Sequence, residues 1–205
     1  MKKLLIFPFN GNAVEAIACI NNRYELIGFI DDSEEKQNCE FHGYKILSRN
    51  ALNDFPESEV LAVPGNPYNY RQREEIINSL GLQKERFAKV FHSKSDISPI
   101  SNIGYNTLIL SGVAVTGNSV IGNHVCILPG SVIHHDTRLG DYTLIGSNVS
   151  ISGNTVIGKN CYIGSGSNII NNITIGDNTL VGLGSNVIKS VKENSRVAGN
   201  PARYL

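Results

Sequence analysis

Every sixth residue from Ile97 to Val187 is aliphatic: Ile97, Ile103, Ile109, Val115, Ile121, Ile127, Ile133, Leu139, Ile145, Ile151, Ile157, Ile163, Ile169, Ile175, Val181 and Val187. Four places after these residues stands something small or β-branched, as at Thr107, Ser119, Ser131, Thr143, Cys161 and Ser185. A period of six fits neither a helix nor a simple strand. One hexad is too short to bury its own apolar side, so the repeats must stack and share one apolar column. Gly104, Gly122, Gly140, Gly158 and Gly176 recur every eighteen residues, as do Gly146, Gly164 and Gly182. Three hexads therefore make one coil, and the expected fold over 97–187 is a triangular β-helix of about five coils. Residues eighteen apart then lie above one another, at about 4.8 Å. Glycine and asparagine at the third and fourth places of the hexads suit corners with positive φ.

The first ninety residues read differently. LLIFPF is an apolar run followed by a turn at Asn10-Gly11-Asn12, AVEAIACI has helical spacing, and YELIGFIDD is a second strand. EVLAVPGN, YNYRQREEIINSL and FAKVFH continue the pattern as strand, helix and strand. Such alternation predicts a small parallel α/β sheet with its ligand site at the carboxyl ends of the strands. The expected domains are 1–94 and 95–205. The tail after Val187 loses the six-residue beat and is expected to cap the last coil.

Composition narrows the function. Eighteen basic and eighteen acidic residues leave the chain formally neutral, with no basic run for nucleic acid or an anionic membrane. MKKLLIFPFN has too short an apolar run, interrupted by Pro8, for a signal peptide or a membrane span, so a first buried strand is expected. Cys19, Cys39, Cys126 and Cys161 show no CxxC spacing and read as reduced thiols of a cytoplasmic protein.

Two places could carry chemistry. The turn after the first strand has one glycine, so a dinucleotide fingerprint is absent. Asp31 and Asp32 end the second strand about where an acid binds a ribose hydroxyl; they serve equally as the start of a solvated turn. The second place is a corner. Where neighbouring coils have Thr116-Gly117-Asn118 and Ser152-Gly153-Asn154, one coil has His134-His135-Asp136. The side chains are expected to project outward. Imidazole suits general-base work near neutral pH, and a neighbouring carboxylate fixes its tautomer. Gly153 stands eighteen residues beyond His135, where a free backbone N–H could meet an oxyanion. A plain solvated corner is the competing reading.

GFIDDS at 28–33, VPGN at 63–66, HSKSDISP at 92–99, SVIHHDTRLG at 131–140, the hexads and VAGNPARYL at 197–205 together give a resemblance over nearly the whole chain. The chain resembles the bacterial nucleotide-sugar acetyltransferases of the left-handed β-helix (hexapeptide-repeat) superfamily, including the bacillosamine-pathway N-acetyltransferase and the sialic-acid O-acetyltransferases. The resemblance implies an N-terminal Rossmann-like α/β domain followed by an all-β left-handed parallel β-helix. It implies His135 as catalytic base, Asp136 as its acid partner (usually Glu in relatives) and Gly153 as the glycine whose amide meets the thioester carbonyl. It also implies substrate contacts from Asn10, Gly11, Asn12, Asp31, Asp32, Gly65 and Asn66, and coenzyme A contacts from Gly153, Gly182, Gly184, Asn200 and Pro201. The implied partners are acetyl-CoA as co-substrate without a metal, a nucleotide-sugar substrate, and two further copies in a homotrimer, with no nucleic acid or membrane. The turn PFNGNAVEA departs from the glycine-rich loop usual in relatives, and the role of His134 stays open.

The implied activity is N-acetylation of a UDP- or dTDP-linked 4-amino-4,6-dideoxy sugar for a cell-surface glycan, such as lipopolysaccharide O-antigen. O-acetylation of a sialic acid or another sugar is the alternative. Two other classes compete: a zinc enzyme resembling a γ-type carbonic anhydrase, drawing on His124, His134 and His135, and a non-catalytic trimeric scaffold.

Overall fold

The computed structural model describes residues 1–20 and 23–205. The chain begins with a five-stranded sheet of β1 (Lys2–Phe7), β2 (Tyr24–Ile30), β3 (Glu40–Phe41), β4 (Tyr44–Leu47) and β5 (Glu59–Ala62), in the order 3-4-2-1-5. All its pairings are parallel except the β3–β4 hairpin. The apolar run of β1 has a simple cause. Leu4 and Ile6 pack on one side with Ala13 and Ala16, while Leu5 and Phe7 pack on the other with Ala51 and Ile77. Those partners come from three short helices, α1 (Gly11–Ala16), α2 (Ala51–Asp54) and α3 (Arg73–Asn78). A strand covered on both faces reads as a continuous apolar run. The β3–β4 hairpin is an addition to the expected strand-helix alternation. It turns through His42 (φ 48) and Gly43 (φ 83), the two positive angles that a tight primed turn demands.

FAKVFH touches this sheet only at its start, where Phe87 bridges Val60 of β5 in parallel, and then leaves it. Its strand, β6 (Lys89–Phe91), pairs in parallel with Thr107–Ile109, so Phe91 lies under Ile109. The six-residue beat thus starts one hexad before Ile97, with an aromatic in the aliphatic place.

From there three parallel ladders form a triangular tube. The first sheet runs through Ile103, Ile121, Leu139, Ile157 and Ile175. The second runs through Ile109, Ile127, Ile145, Ile163 and Val181. The third runs through Ile97, Val115, Ile133, Ile151, Ile169 and Val187. These side chains point inward and form one column, only partly buried at Ile97 and Ile103 where it starts; each fully buried one contributes about 1.5–3 kcal/mol. The small fifth-place residues also point inward and are fully buried. Their hydroxyls donate to backbone carbonyls of the tube, as Ser131 does to Gly146 and Thr143 to Gly158, so no polar group is stranded there. Cys161 sits among them, and all four cysteines are free thiols.

The corners correct one expectation. The fourth place is left-handed, as at Asn118 (φ 60), Asp136 (φ 59) and Asn154 (φ 56), whereas the third-place Gly117 and Gly153 have no positive φ. The second-place glycines that set the eighteen-residue series have none either. They are there because the coils pass in contact: a Cβ on Gly104 would lie 2.4 Å from the carbonyl oxygen of Gly122.

The tail does not abandon the beat. It drops two residues and resumes. Val191 bridges Ile175 and Val197 pairs with Val181, sixteen residues apart instead of eighteen. Both valines join the buried column. Arg196–Gly199 then folds back antiparallel on Ala202–Tyr204. Among the described residues no helix is long and apolar enough to cross a membrane.

The α/β unit covers the second sheet. Leu108, Cys126 and Leu144 point outward from the tube into the cluster that holds Leu4, Ile6 and Ala13. At the adjoining corner, between the first and second sheets, Arg73 is fully buried, with no carboxylate in an ion pair with it among the described residues. Its guanidinium donates to the carbonyls of His124 (2.6 Å), Tyr142 (2.7 Å) and Pro64. The Asn106 amide mimics a strand, accepting from the Ala62 N–H (2.7 Å) and donating to the Ala62 carbonyl (2.9 Å). Its Nδ2 also lies 2.8 Å from His124 Nδ1. An amide nitrogen only donates, so Nδ1 must accept and the ring is neutral.

Burial, then the nearby Arg73 charge, push His124 down to about 4, against a weaker opposing pull from Asp141. The unfolded chain binds this proton near pH 6.5 and the folded one only near 4, so stability falls as pH drops through that window. The loss should reach about 3 kcal/mol. Urea midpoints measured from pH 7 to 4 should show it, and His124→Asn, which suits the left-handed corner, should flatten the profile. Parallel profiles for both proteins would rule this out.

Candidate active site

Strand order reverses at β1, with β2 on one side and β5 on the other, which opens a crevice at the carboxyl ends. A cavity of about 570 Å³ lies there. It brings together Asn10, Gly11, Asn12, Asp31, Asp32, Gly65 and Asn66. Local chemistry holds several of them. Asn10 caps α1 through the Ala13 N–H (2.9 Å), and its amide donates to the Val63 carbonyl (3.0 Å). Asn12 donates to the same carbonyl at 3.2 Å. The turns after β1 and β5 are thereby tied together as the cavity wall.

The two aspartates are not bare. Asp31 is buried, accepts from the Ser33 N–H (3.0 Å) and pairs with Lys36 (3.1 Å). Asp32 takes a two-pronged bond from Arg49, with Nε at 2.6 Å and Nη2 at 2.8 Å. Arg49 also lies over the Phe7 ring. Sequence reading misses both cations. Lys36 follows Asp31 closely enough to be found by spacing, but nothing local marks Arg49, seventeen residues beyond Asp32.

His135 stands elsewhere, at the corner between the third and first sheets. Its side chain is 66% exposed and that of Asp136 46%. Nδ1 lies 2.7 Å from Asp136 Oδ2. The hydrogen bond to His135, and then one from Asn118, hold the Asp136 carboxyl below its usual range. An ionised carboxylate only accepts, so Nδ1 carries the hydrogen, and in the neutral ring Nε2 then keeps its lone pair. Above the ring lies Gly153, where a Cβ would come within 2.6 Å of Cε1 and 2.7 Å of Nε2. The Gly153 carbonyl accepts from Asn172 (3.3 Å), while its N–H has no acceptor among the described residues. With the ring neutral, the corner therefore offers a ring nitrogen with a lone pair beside an N–H that has no acceptor among the described residues.

His134 lends its backbone to the neighbouring coils, through its N–H to Ile151 (3.0 Å) and its carbonyl to Ser119 (2.9 Å). His124 is buried at a different corner, stacked on Tyr142 with ring centroids 4.5 Å apart. The three histidines do not converge. Among the described residues no group of three or more His, Cys, Asp or Glu side chains could hold a metal ion.

The remaining expected positions divide by corner. Gly153 shares the His135 corner. Gly182 and Gly184 belong to the corner between the second and third sheets, and Asn200 and Pro201 form the turn of the terminal hairpin. Gly184 is a left-handed corner residue (φ 63) with open space around it. Gly182 lines a groove of about 240 Å³ with Tyr68, Tyr162, Leu183 and Arg196.

The fold and site define a parallel β-helix carrying a histidine–carboxylate corner. Residues 118–153, 136–171 and 154–189 match the family described as bacterial transferase hexapeptide (six repeats), so this stretch of the chain carries that family's repeat. The acetyltransferase domain of PglB from Neisseria gonorrhoeae FA1090, in complex with acetyl coenzyme A, is 26% identical, with a TM-score of 0.86 over 100% of this chain and 99% of that one. PerB from Caulobacter crescentus, in complex with CoA and GDP-perosamine, is 22% identical over 100% and 97% of the two chains, with a TM-score of 0.86. WeeI from Acinetobacter baumannii AYE is 24% identical over 100% of both chains, with a TM-score of 0.84. No curated protein matches the chain.

Proposed function

We propose that the chain is an acetyl-CoA-dependent N-acetyltransferase acting on the amino group of a nucleotide-linked amino-deoxy sugar. The observation that carries this reading is the His135 corner, with Nδ1 held by Asp136 and Nε2 open beside the free Gly153 N–H. The sugar amine attacks the thioester carbonyl and a C–N bond forms. His135 Nε2 takes the amine proton, the Gly153 N–H stabilises the oxyanion, and the C–S bond breaks to release coenzyme A. No covalent enzyme intermediate is needed. The cavity at the β1, β2 and β5 ends suits the nucleotide, with Lys36 and Arg49 able to face a diphosphate while Asp31 and Asp32 hold them in place. The acetyl-CoA bound to the PglB domain, and the CoA with GDP-perosamine bound to PerB, support both halves of the reading.

The active unit is a trimer in this reading. In the triangular tube the His135 corner is opposite the second sheet, and the α/β unit with its cavity covers that second sheet. A sugar nucleotide seated in the cavity therefore meets the His135 of a neighbouring copy. The same holds for coenzyme A, since Gly153 and the Gly182–Gly184 stretch lie at different corners of one chain. A three-fold ring brings unlike corners face to face.

One experiment tests both claims. Asp31→Ala/Asp32→Ala protein should be inactive at low sugar-nucleotide concentration, and His135→Ala protein inactive throughout. Unfolding and refolding the two together should restore activity at about a quarter of the sites, because each pocket pairs with one neighbour's histidine. No recovery, with normal trimers by light scattering, would place both parts of the site in one chain. Turnover with a panel of UDP-, dTDP- and GDP-linked amino sugars, and with hydroxyl acceptors alongside, identifies the substrate; acetylation of hydroxyls alone would overturn N-acetylation.

A further inference from the structure

We propose that Asn118 is a positioning residue that fixes the His135 ring through Asp136; this rests on the reading of His135 as the base. Asn118 lies one coil below Asp136 in the same left-handed place, φ 60 against 59. Its Nδ2 donates to Asp136 Oδ1, while Asp136 Oδ2 accepts from His135 Nδ1. The two carboxylate oxygens are thus held from two directions, one by the ring and one by a rigid coil. In the same corner column two coils higher, Asn154 donates to Asn172 Oδ1 at 2.8 Å, amide to amide, with no titratable group involved. The ladder that elsewhere only links coils here ends on the carboxylate that faces the histidine.

Exposure makes the second bond matter. With Asp136 about half exposed, water competes for its oxygens, and one bond from a mobile, exposed ring would leave the carboxylate free to rotate. The donor on the coil below removes that freedom. The carboxylate then holds the hydrogen on Nδ1 and leaves the Nε2 lone pair beside Gly153.

Asn118→Gly tests this, because glycine keeps the left-handed corner and removes only the amide. Asn172→Gly breaks the same kind of ladder bond without touching Asp136. In ¹⁵N NMR spectra at about pH 9, where a free imidazole is neutral, wild type and Asn172→Gly should show His135 mainly as the Nδ1–H form. Asn118→Gly should shift it toward Nε2–H. The kcat of Asn118→Gly should fall about tenfold, the weight of one hydrogen bond to a charged group, with both KM values nearly unchanged. In an Asp136→Ala background the same substitution should cost nothing more. An unchanged tautomer, an equal loss in Asn172→Gly, or a full further loss on top of Asp136→Ala would each overturn the proposal. A shifted tautomer with unchanged kcat would uphold the positioning role and remove the base role from His135.

Discussion

Replacing His135 by alanine should lower kcat by about 10²–10⁴-fold, the usual contribution of a positioned general base. Binding of coenzyme A should barely change, because the ring presents one nitrogen at the corner and the expected cofactor contacts lie mainly at Gly182, Gly184 and the terminal hairpin. His135→Asn should lose as much, since an amide cannot take the proton. Asp136→Ala should lose less, for it removes the ring's orientation and leaves the base. Stopped assays with saturating acetyl-CoA give kcat, and calorimetry gives the Kd. If His135→Ala turns over at nearly the wild-type rate at neutral pH, the amine needs no base and the central mechanistic claim falls.

A second large effect is expected in stability. A Cβ at Gly140 would lie 2.5 Å from the carbonyl carbon of Gly158 and 2.6 Å from the Lys159 nitrogen, both backbone atoms of the next coil. That coil cannot retreat without stretching the 2.8 Å bond from the Gly140 N–H to the Ile157 carbonyl. Gly140→Ala should therefore cost about 3 kcal/mol, the upper end for overpacking, and lower the Tm by about 10 °C. Gly11→Ala is the contrast: nothing lies within 4 Å of the added carbon and φ is ordinary, so its Tm should hold. Equal melting of wild type and Gly140→Ala would mean that the glycine series does not serve coil contact.

The tube is legible because its period is uninterrupted, and an eighteen-residue offset places any two of its residues. His135 and Gly153 can be set one above the other from numbers alone, and they are in contact. What misleads is the meaning of the glycines. A glycine signals either a left-handed angle or a close approach, and sequence does not separate the two; Gly104 and Gly140 answer to the second. FAKVFH reads wholly as part of the α/β sheet, whereas only Phe87 bridges it and Lys89–Phe91 pairs with the tube, because a three-residue strand carries no mark of its partner. The tail looks irregular because a two-residue shortening breaks a strict count while leaving Val191 and Val197 six apart. At the cavity, the turns after the strands are readable. Arg49 and Arg73 are not, since their partners, Asp32 and the carbonyls of Pro64, His124 and Tyr142, are set by tertiary packing.

The hairpin of Arg196–Gly199 and Ala202–Tyr204 bears on how the second sheet ends. A stack of parallel coils has an open rim, a row of unpaired N–H and C=O groups onto which another stack could add and grow into a fibre. Here the last rung of the second sheet, Arg196–Gly199, is followed by Ala202–Tyr204 running the opposite way. The next strand a newcomer would meet on that sheet is therefore antiparallel, and a parallel coil of the same kind finds no template in register. On that sheet the repeat thus meets a strand of the opposite direction, which offers a further parallel coil no matching edge.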